Sequence, residues 1–137
     1  MNAVNGKVSM TRDSVTPTAA VLVVEHSAAI RRLFEVVLRN VADPLFVVKD
    51  QDEARTLLAT EPIDVVVVEP HGLHRIDWGL LDDVIAAAIP AIVVTARADE
   101  EVREEATRRG ATEFLTKPFL PAELAMIISD IAAATTQ

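Results

Sequence analysis

The chain has 137 residues and a mass of 14.8 kDa, enough for one domain whose core folds without disulfide or metal staples. Its 13 Lys and Arg face 21 Asp and Glu, a net charge of -8 with a pI near 4.8, which argues against binding a phosphate backbone and so against nucleic acid as a direct partner. The absence of cysteine excludes a disulfide framework, a thiolate nucleophile and cysteine-ligated zinc. Charge or proline cuts every apolar run well short of the roughly 20 residues a membrane helix needs. Residues 1–20 also lack a signal-peptide core, so the expected location is the cytoplasm, away from membranes.

Half the residues are apolar but only 4% are aromatic, so the core should consist of Val, Ile, Leu and Ala. Residues 1–19 are polar, without hydrophobic period, and are expected to form a disordered leader. Residues 21–24 read as a first strand. Ile30, Leu33, Phe34, Val37, Leu38 and Val41 then fall at helical spacing, with Ser27 as the expected N-cap. Asp43-Pro44 should break the chain before a second strand at 45–48. Asp50 and Glu53 have the spacing of a capping box ahead of a helix that Glu61-Pro62 ends.

Residues 63–68 read as a third strand, whose four successive valines at 65–68 are apolar without alternation, as a strand covered on both faces requires. The segment 69–79 is expected to be a loop, carrying two histidines and the only tryptophan. A helix over about 80–88, a strand at 91–94 and a charged helix over 99–109 follow, the last ended by Gly110. A fifth strand at 111–116 and a helix over 121–134 complete the domain, placed at 20–134 with a frayed tail at 135–137. Five strands alternating with five helices predict an α/β, flavodoxin-like doubly wound sandwich with a parallel sheet in order 2-1-3-4-5. Ligand chemistry in such sheets sits at the carboxyl ends of strands one and three, here Glu25-His26 and Glu69.

Four landmarks stand in order at strand ends: Glu25-His26, Glu69, Thr95-Ala96 and Lys117-Pro118-Phe119. On these the chain resembles the bacterial response-regulator receiver domains of two-component phosphorelay signalling, across nearly the whole predicted domain. The resemblance implies that Glu69 stands at the phosphoacceptor aspartate and Glu25 and His26 at an acidic pair that binds Mg²⁺. It makes Thr95 and Lys117 the phosphoryl contacts and Phe114 the aromatic switch residue, with Lys117-Pro118 at a bond commonly cis in the family. Attack of a carboxylate on a phosphoryl donor needs a hard, oxygen-ligated cation and a fixed ammonium to offset the charge.

The centre departs from the family pattern. His26 replaces a metal-binding aspartate, and imidazole suits borderline transition metals better than Mg²⁺. Glu69 carries one methylene too many, and a misplacement of about 1 Å costs on the order of a hundredfold in rate. Residues 72–79 also lack the family's usual loop pattern. The expectation is therefore an atypical, non-enzymatic pseudo-receiver, not phosphorylated in the ordinary way, with Mg²⁺ binding weakened or absent and no cofactor.

Glu69 either reaches Lys117 as a partial mimic of a phosphorylated aspartate or marks a lost site. With no output segment after Gln137, the chain is expected to stand alone as an interaction module for a histidine kinase or downstream effector, or to form a homodimer. Arg97, Arg103, Arg108 and Arg109 are the candidate partner surface. Trp78 is either a loop anchor or an exposed hook. The alternatives are a receiver with another acceptor, Asp64 or Asp77, and a metal- or small-ligand-sensing domain. The candidate metal ligands are Glu25, His26, Glu69 and His71, and His74 shares their loop region.

Overall fold

The computed structural model describes residues 17–71, 75–97 and 99–135. Residues 1–16 of the predicted leader and His74 lie outside them. The elements run β1 Ala19–Val24, α1 Ala28–Val37, β2 Ala42–Val48, α2 Gln51–Thr60 and β3 Val65–Val68, followed by α3 Gly79–Ala86, β4 Ala91–Thr95, α4 Glu100–Arg108, β5 Glu113–Thr116 and α5 Pro121–Thr135. All strand pairs are parallel, in the order β2-β1-β3-β4-β5.

Alternation along the strands divides the core between the two faces of the sheet. Val21, Val23, Val65, Val67, Ile92 and Val94 meet Phe34 and Leu38 of α1 and Leu124 and Ile128 of α5. Leu22, Val24, Val66, Val68 and Val93 meet Ala54 of α2, Leu80, Leu81 and Val84 of α3, and Ala106 of α4. The four valines of β3 are each no more than 1% exposed, which explains why that strand reads as continuous rather than alternating. At roughly 1.5–3 kcal/mol per buried valine-sized side chain, this strand is a principal source of stability.

Several boundaries differ from the sequence reading: α1 ends at Val37, short of Val41, β3 starts at Val65 rather than residue 63, and β5 at Glu113 rather than residue 111. Two further differences have a visible cause. β1 begins at Ala19, inside the segment assigned to the leader, because Ala19 N donates to Val41 O at 3.0 Å. β2 runs through Asp43-Pro44 instead of starting after it. An irregularity in register, from Ala19 opposite Ala42 to Val21 opposite Leu45, absorbs the extra residue, and an edge strand can lose the proline's missing donor without cost to a second neighbour.

The caps follow local chemistry. Ser27, Asp50 and Asp99 each accept a hydrogen bond from the backbone amide three residues on. Asp99 is thus the cap of α4 and not its first turn. α3 begins on Trp78 with no cap of its own and borrows two acceptors, Asp77 Oδ1 for Gly79 N at 2.9 Å and Gln51 Oε1 for Leu80 N at 3.1 Å. It stops short of Ala88, whose φ of 62° is left-handed.

Candidate functional site

Three side chains are aimed at one point by backbone bonds that continue the ladder past the strand ends. Glu25 N donates to Val48 O of β2 at 3.0 Å, Glu69 N to Val24 O of β1 at 3.0 Å, and Lys117 N to Thr95 O of β4 at 2.8 Å. Each residue is thereby fixed by a neighbouring strand. Lys117-Pro118 is cis, as the resemblance implies.

Lys117 Nζ donates to Glu25 Oε1 at 2.7 Å and to Glu69 Oε2 at 2.9 Å. The second oxygen of each carboxylate faces His26: Glu69 Oε1 makes a short hydrogen bond with Nδ1, and Glu25 Oε2 lies 3.5 Å from it. Ser27 N also donates to Glu25 Oε2 at 3.1 Å. Each carboxylate is therefore divided between an ammonium and an imidazole. Arg31 holds the turn from beneath, its guanidinium donating to the carbonyls of Glu25 and His26 at 2.9 and 3.0 Å. His71 N donates to Glu69 O at 2.8 Å, and the His71 ring stacks on that of His26 with centroids 3.9 Å apart.

Burial sets the electrostatics. Glu25 is 1% exposed, Glu69 10% and Lys117 15%, whereas His26 is 46% exposed. Burial pushes the Glu25 carboxyl above its ordinary range, and the neighbouring Glu69 adds to the rise while Lys117 and Ser27 N oppose it. Burial acts on Glu69 in the same direction, but the Lys117 hydrogen bond, the Glu25 contact and the charges of Lys117 and His26 together hold it below the usual carboxylate value. Of the two, Glu25 holds its proton more tightly.

The other expected site residues fall apart or elsewhere. Thr95 Oγ1 accepts from Arg97 N at 3.0 Å, and among the described residues no hydrogen bond joins it to Glu69. Of the contacts a phosphoryl mimic would make, Glu69 has the lysine and lacks the threonine. Phe114 is half-buried against the α2–α4 side of the core, with the Arg103 guanidinium 4.6 Å from its ring centroid. Asp64 accepts from Ala20 N at 2.8 Å at the opposite end of β3, and Asp77 caps α3 from an exposed loop, so neither faces Lys117.

The candidate partner arginines are all engaged within the chain. Arg97 binds Asp99, Arg108 binds Glu105, and Arg109 binds Asp82 and Glu105 while lying 5.4 Å from the Trp78 ring centroid. Trp78 itself packs against the core, as an anchor does. Around Trp78 and these arginines lies a cleft of about 1000 Å³ between the β3–α3 loop and α4. Sequence reasoning missed this cleft, because the Arg109–Trp78 contact joins segments whose proximity follows only from helix packing.

A five-stranded parallel sheet with two strand-end acids and a lysine converging at its switch point defines a receiver-type α/β domain. The family model described as "Response regulator receiver domain" matches residues 21–129, and the chain belongs to that family. It is 32% identical over 109 residues to the phosphate regulon transcriptional regulatory protein PhoB of Klebsiella pneumoniae, covering 76% of this chain and 47% of that protein. The chain spans about half the length of the curated relatives it matches.

Among solved structures it is similar to the receiver domain of the Francisella response regulator 1452, with a TM-score of 0.73, 24% identity, and 86% of this chain and 99% of that one covered. It is also similar to the receiver domain of the sensor histidine kinase PA1611 from Pseudomonas aeruginosa, with a TM-score of 0.71, 22% identity, and coverage of 85% and 98%. That structure is described with a magnesium ion coordinated in its active-site cleft.

The donors here do not fit that ion. Glu25, His26 and Glu69 bring two carboxylate oxygens and an imidazole nitrogen within 4.8 Å of one another. Mg²⁺ takes oxygen ligands in a near-ideal octahedron, and His26 supplies nitrogen where an oxygen is wanted.

Proposed function

We propose that this chain is an atypical receiver domain of two-component signalling that acts as a protein-interaction module and is not phosphorylated by the ordinary route. The observation that carries the reading is the state of Glu69, whose two oxygens are engaged by Lys117 and His26. Each oxygen keeps a second lone pair, but pairing with Lys117 and His26 draws charge from the carboxylate and makes it a weaker nucleophile. The side chain is also longer than aspartate and has no all-oxygen Mg²⁺ site beside it.

The module has no catalytic turnover and works in the cytoplasm. Its partner is a histidine kinase or a downstream effector, in keeping with the receiver domains of a sensor kinase and of a transcriptional regulator that it resembles. Arg97, Arg103, Arg108 and Arg109 offer a docking surface along α4 and β5, which a second copy of the chain is also able to use. In place of a phosphorylation switch, the Lys117–Glu69 contact fixes one arrangement of the centre.

Incubation with acetyl phosphate and Mg²⁺ followed by intact-mass measurement tests the reading. The expected result is an unchanged mass. A labile gain of one phosphoryl group overturns it.

A further inference from the structure

We propose that Glu25, His26 and Glu69 form a binding site for a borderline divalent transition metal of the Ni²⁺ or Zn²⁺ class. The argument rests on how the carboxylate oxygens are shared. Lys117 takes Oε1 of Glu25 and Oε2 of Glu69. The remaining oxygens, Glu25 Oε2 and Glu69 Oε1, lie beside His26 Nδ1 on the other side of the pair. A metal entering between those three atoms leaves both lysine bonds in place.

One edge already has the length a small coordination sphere needs. The 3.5 Å from His26 Nδ1 to Glu25 Oε2 matches the edge of a tetrahedron with bonds of about 2.1 Å, roughly 3.4 Å. His26 Nδ1 and Glu69 Oε1 are in hydrogen-bond contact, and binding requires them to separate to that same edge length, with loss of the Nδ1 proton. One imidazole and two carboxylates is a donor set for Zn²⁺, Ni²⁺ or Co²⁺ rather than for Mg²⁺.

The charges agree with this assignment. With His26 neutral, the two carboxylates and Lys117 sum to one negative charge in a pocket whose carboxylates are nearly buried. Access is from the His26 side, which is 46% exposed and covered in part by the stacked His71 ring.

The test uses tag-free, chelator-stripped full-length chain, with Ni²⁺, Zn²⁺ and Mg²⁺ in separate titrations read by thermal shift and calorimetry. Ni²⁺ and Zn²⁺ are expected to raise the melting temperature, and Mg²⁺ at equal concentration to leave it unchanged, because only a ligand of the native state stabilises it. His26→Asn should lower Ni²⁺ affinity by more than the roughly 10–100-fold that loss of an outer partner costs. His26→Asp restores an all-oxygen set and should gain Mg²⁺ binding while losing Ni²⁺.

Co²⁺ supplies an independent readout, a visible absorption band in the wild type that His26→Asn abolishes. No stabilisation by Ni²⁺ or Zn²⁺, equal stabilisation of His26→Asn, or a preference for Mg²⁺ each overturns the assignment. The non-phosphorylated reading on which this site rests is tested separately by mass after acetyl phosphate and Mg²⁺: a chain that neither binds Ni²⁺ or Zn²⁺ nor gains mass fails the metal site alone, and one that gains a phosphoryl group fails that reading.

Discussion

Lys117 and Glu69, 48 positions apart in the chain, meet across the switch point of the sheet with Nζ 2.9 Å from Oε2. The same ammonium is 2.7 Å from Glu25, so one cation offsets two carboxylates that are almost wholly withdrawn from water. Replacing it with the similarly shaped, uncharged side chain in Lys117→Met leaves both acids facing each other. The variant is expected to lose about 3 kcal/mol at neutral pH, at the low end for breaking a buried pair because Glu69 and Lys117 stay partly exposed. The loss should shrink as pH falls and Glu25 takes up a proton. Urea melts at a series of pH values check this.

The opposite shifts of the two carboxyls predict opposite pH effects. Folding raises Glu25, so its contribution is present below the unfolded carboxylate value and is lost as pH rises through the folded one. Glu25→Gln should therefore gain stability over wild type at about pH 7 and progressively less toward about pH 4. Folding lowers Glu69, whose contribution is present above the ordinary value and lost as pH falls through the folded one. Glu69→Gln should flatten the acid side of the stability profile. Thermal melts in chelator across this range separate the two.

Backbone strain gives a test that does not touch the site. Ala88 is exposed and holds φ at 62°, a conformation that costs a side-chain-bearing residue roughly 1–2 kcal/mol. Ala88→Gly should stabilise by about 0.5–1 kcal/mol after the entropy glycine loses on folding. Gly110→Ala should do the reverse, since φ there is 106° and a new Cβ meets Ile85 Cγ2 at 3.0 Å. Denaturant midpoints report both.

Restoring the chemistry requires two changes together. Glu69→Asp alone shortens the acceptor but leaves nitrogen in the metal site, and His26→Asp alone leaves the acceptor engaged. The double variant His26→Asp/Glu69→Asp is expected to acquire a labile phosphoryl adduct from acetyl phosphate and Mg²⁺ that neither single variant shows. Intact-mass measurement of all three decides it.

The meeting of Glu25, Glu69 and Lys117 was legible because parallel strands place their carboxyl ends on one edge of the sheet. Once residues 21–24, 63–68 and 111–116 read as strands, the three had to converge. The division of each carboxylate between Lys117 and His26 was not legible, since it depends on rotamers and on the turn that Arg31 grips. Nor was the turning of Thr95 toward Arg97 N, a local choice of a hydroxyl between two acceptor and donor environments. The continuation of β2 through Asp43-Pro44 escaped notice because a proline argues against a central strand, and edge position is a property of the assembled sheet.

Trp78 stands between the α3 N-terminus and Arg109, and the chain has one tryptophan and no tyrosine. Excitation at the red edge of protein absorbance therefore lights a single reporter, at the wall of the α3–α4 cleft. Anything that draws Arg109 away from the ring changes the brightness or colour of the whole protein's emission. The fold thus carries its own optical gauge of that surface, and titration of a partner can be followed without attaching a label.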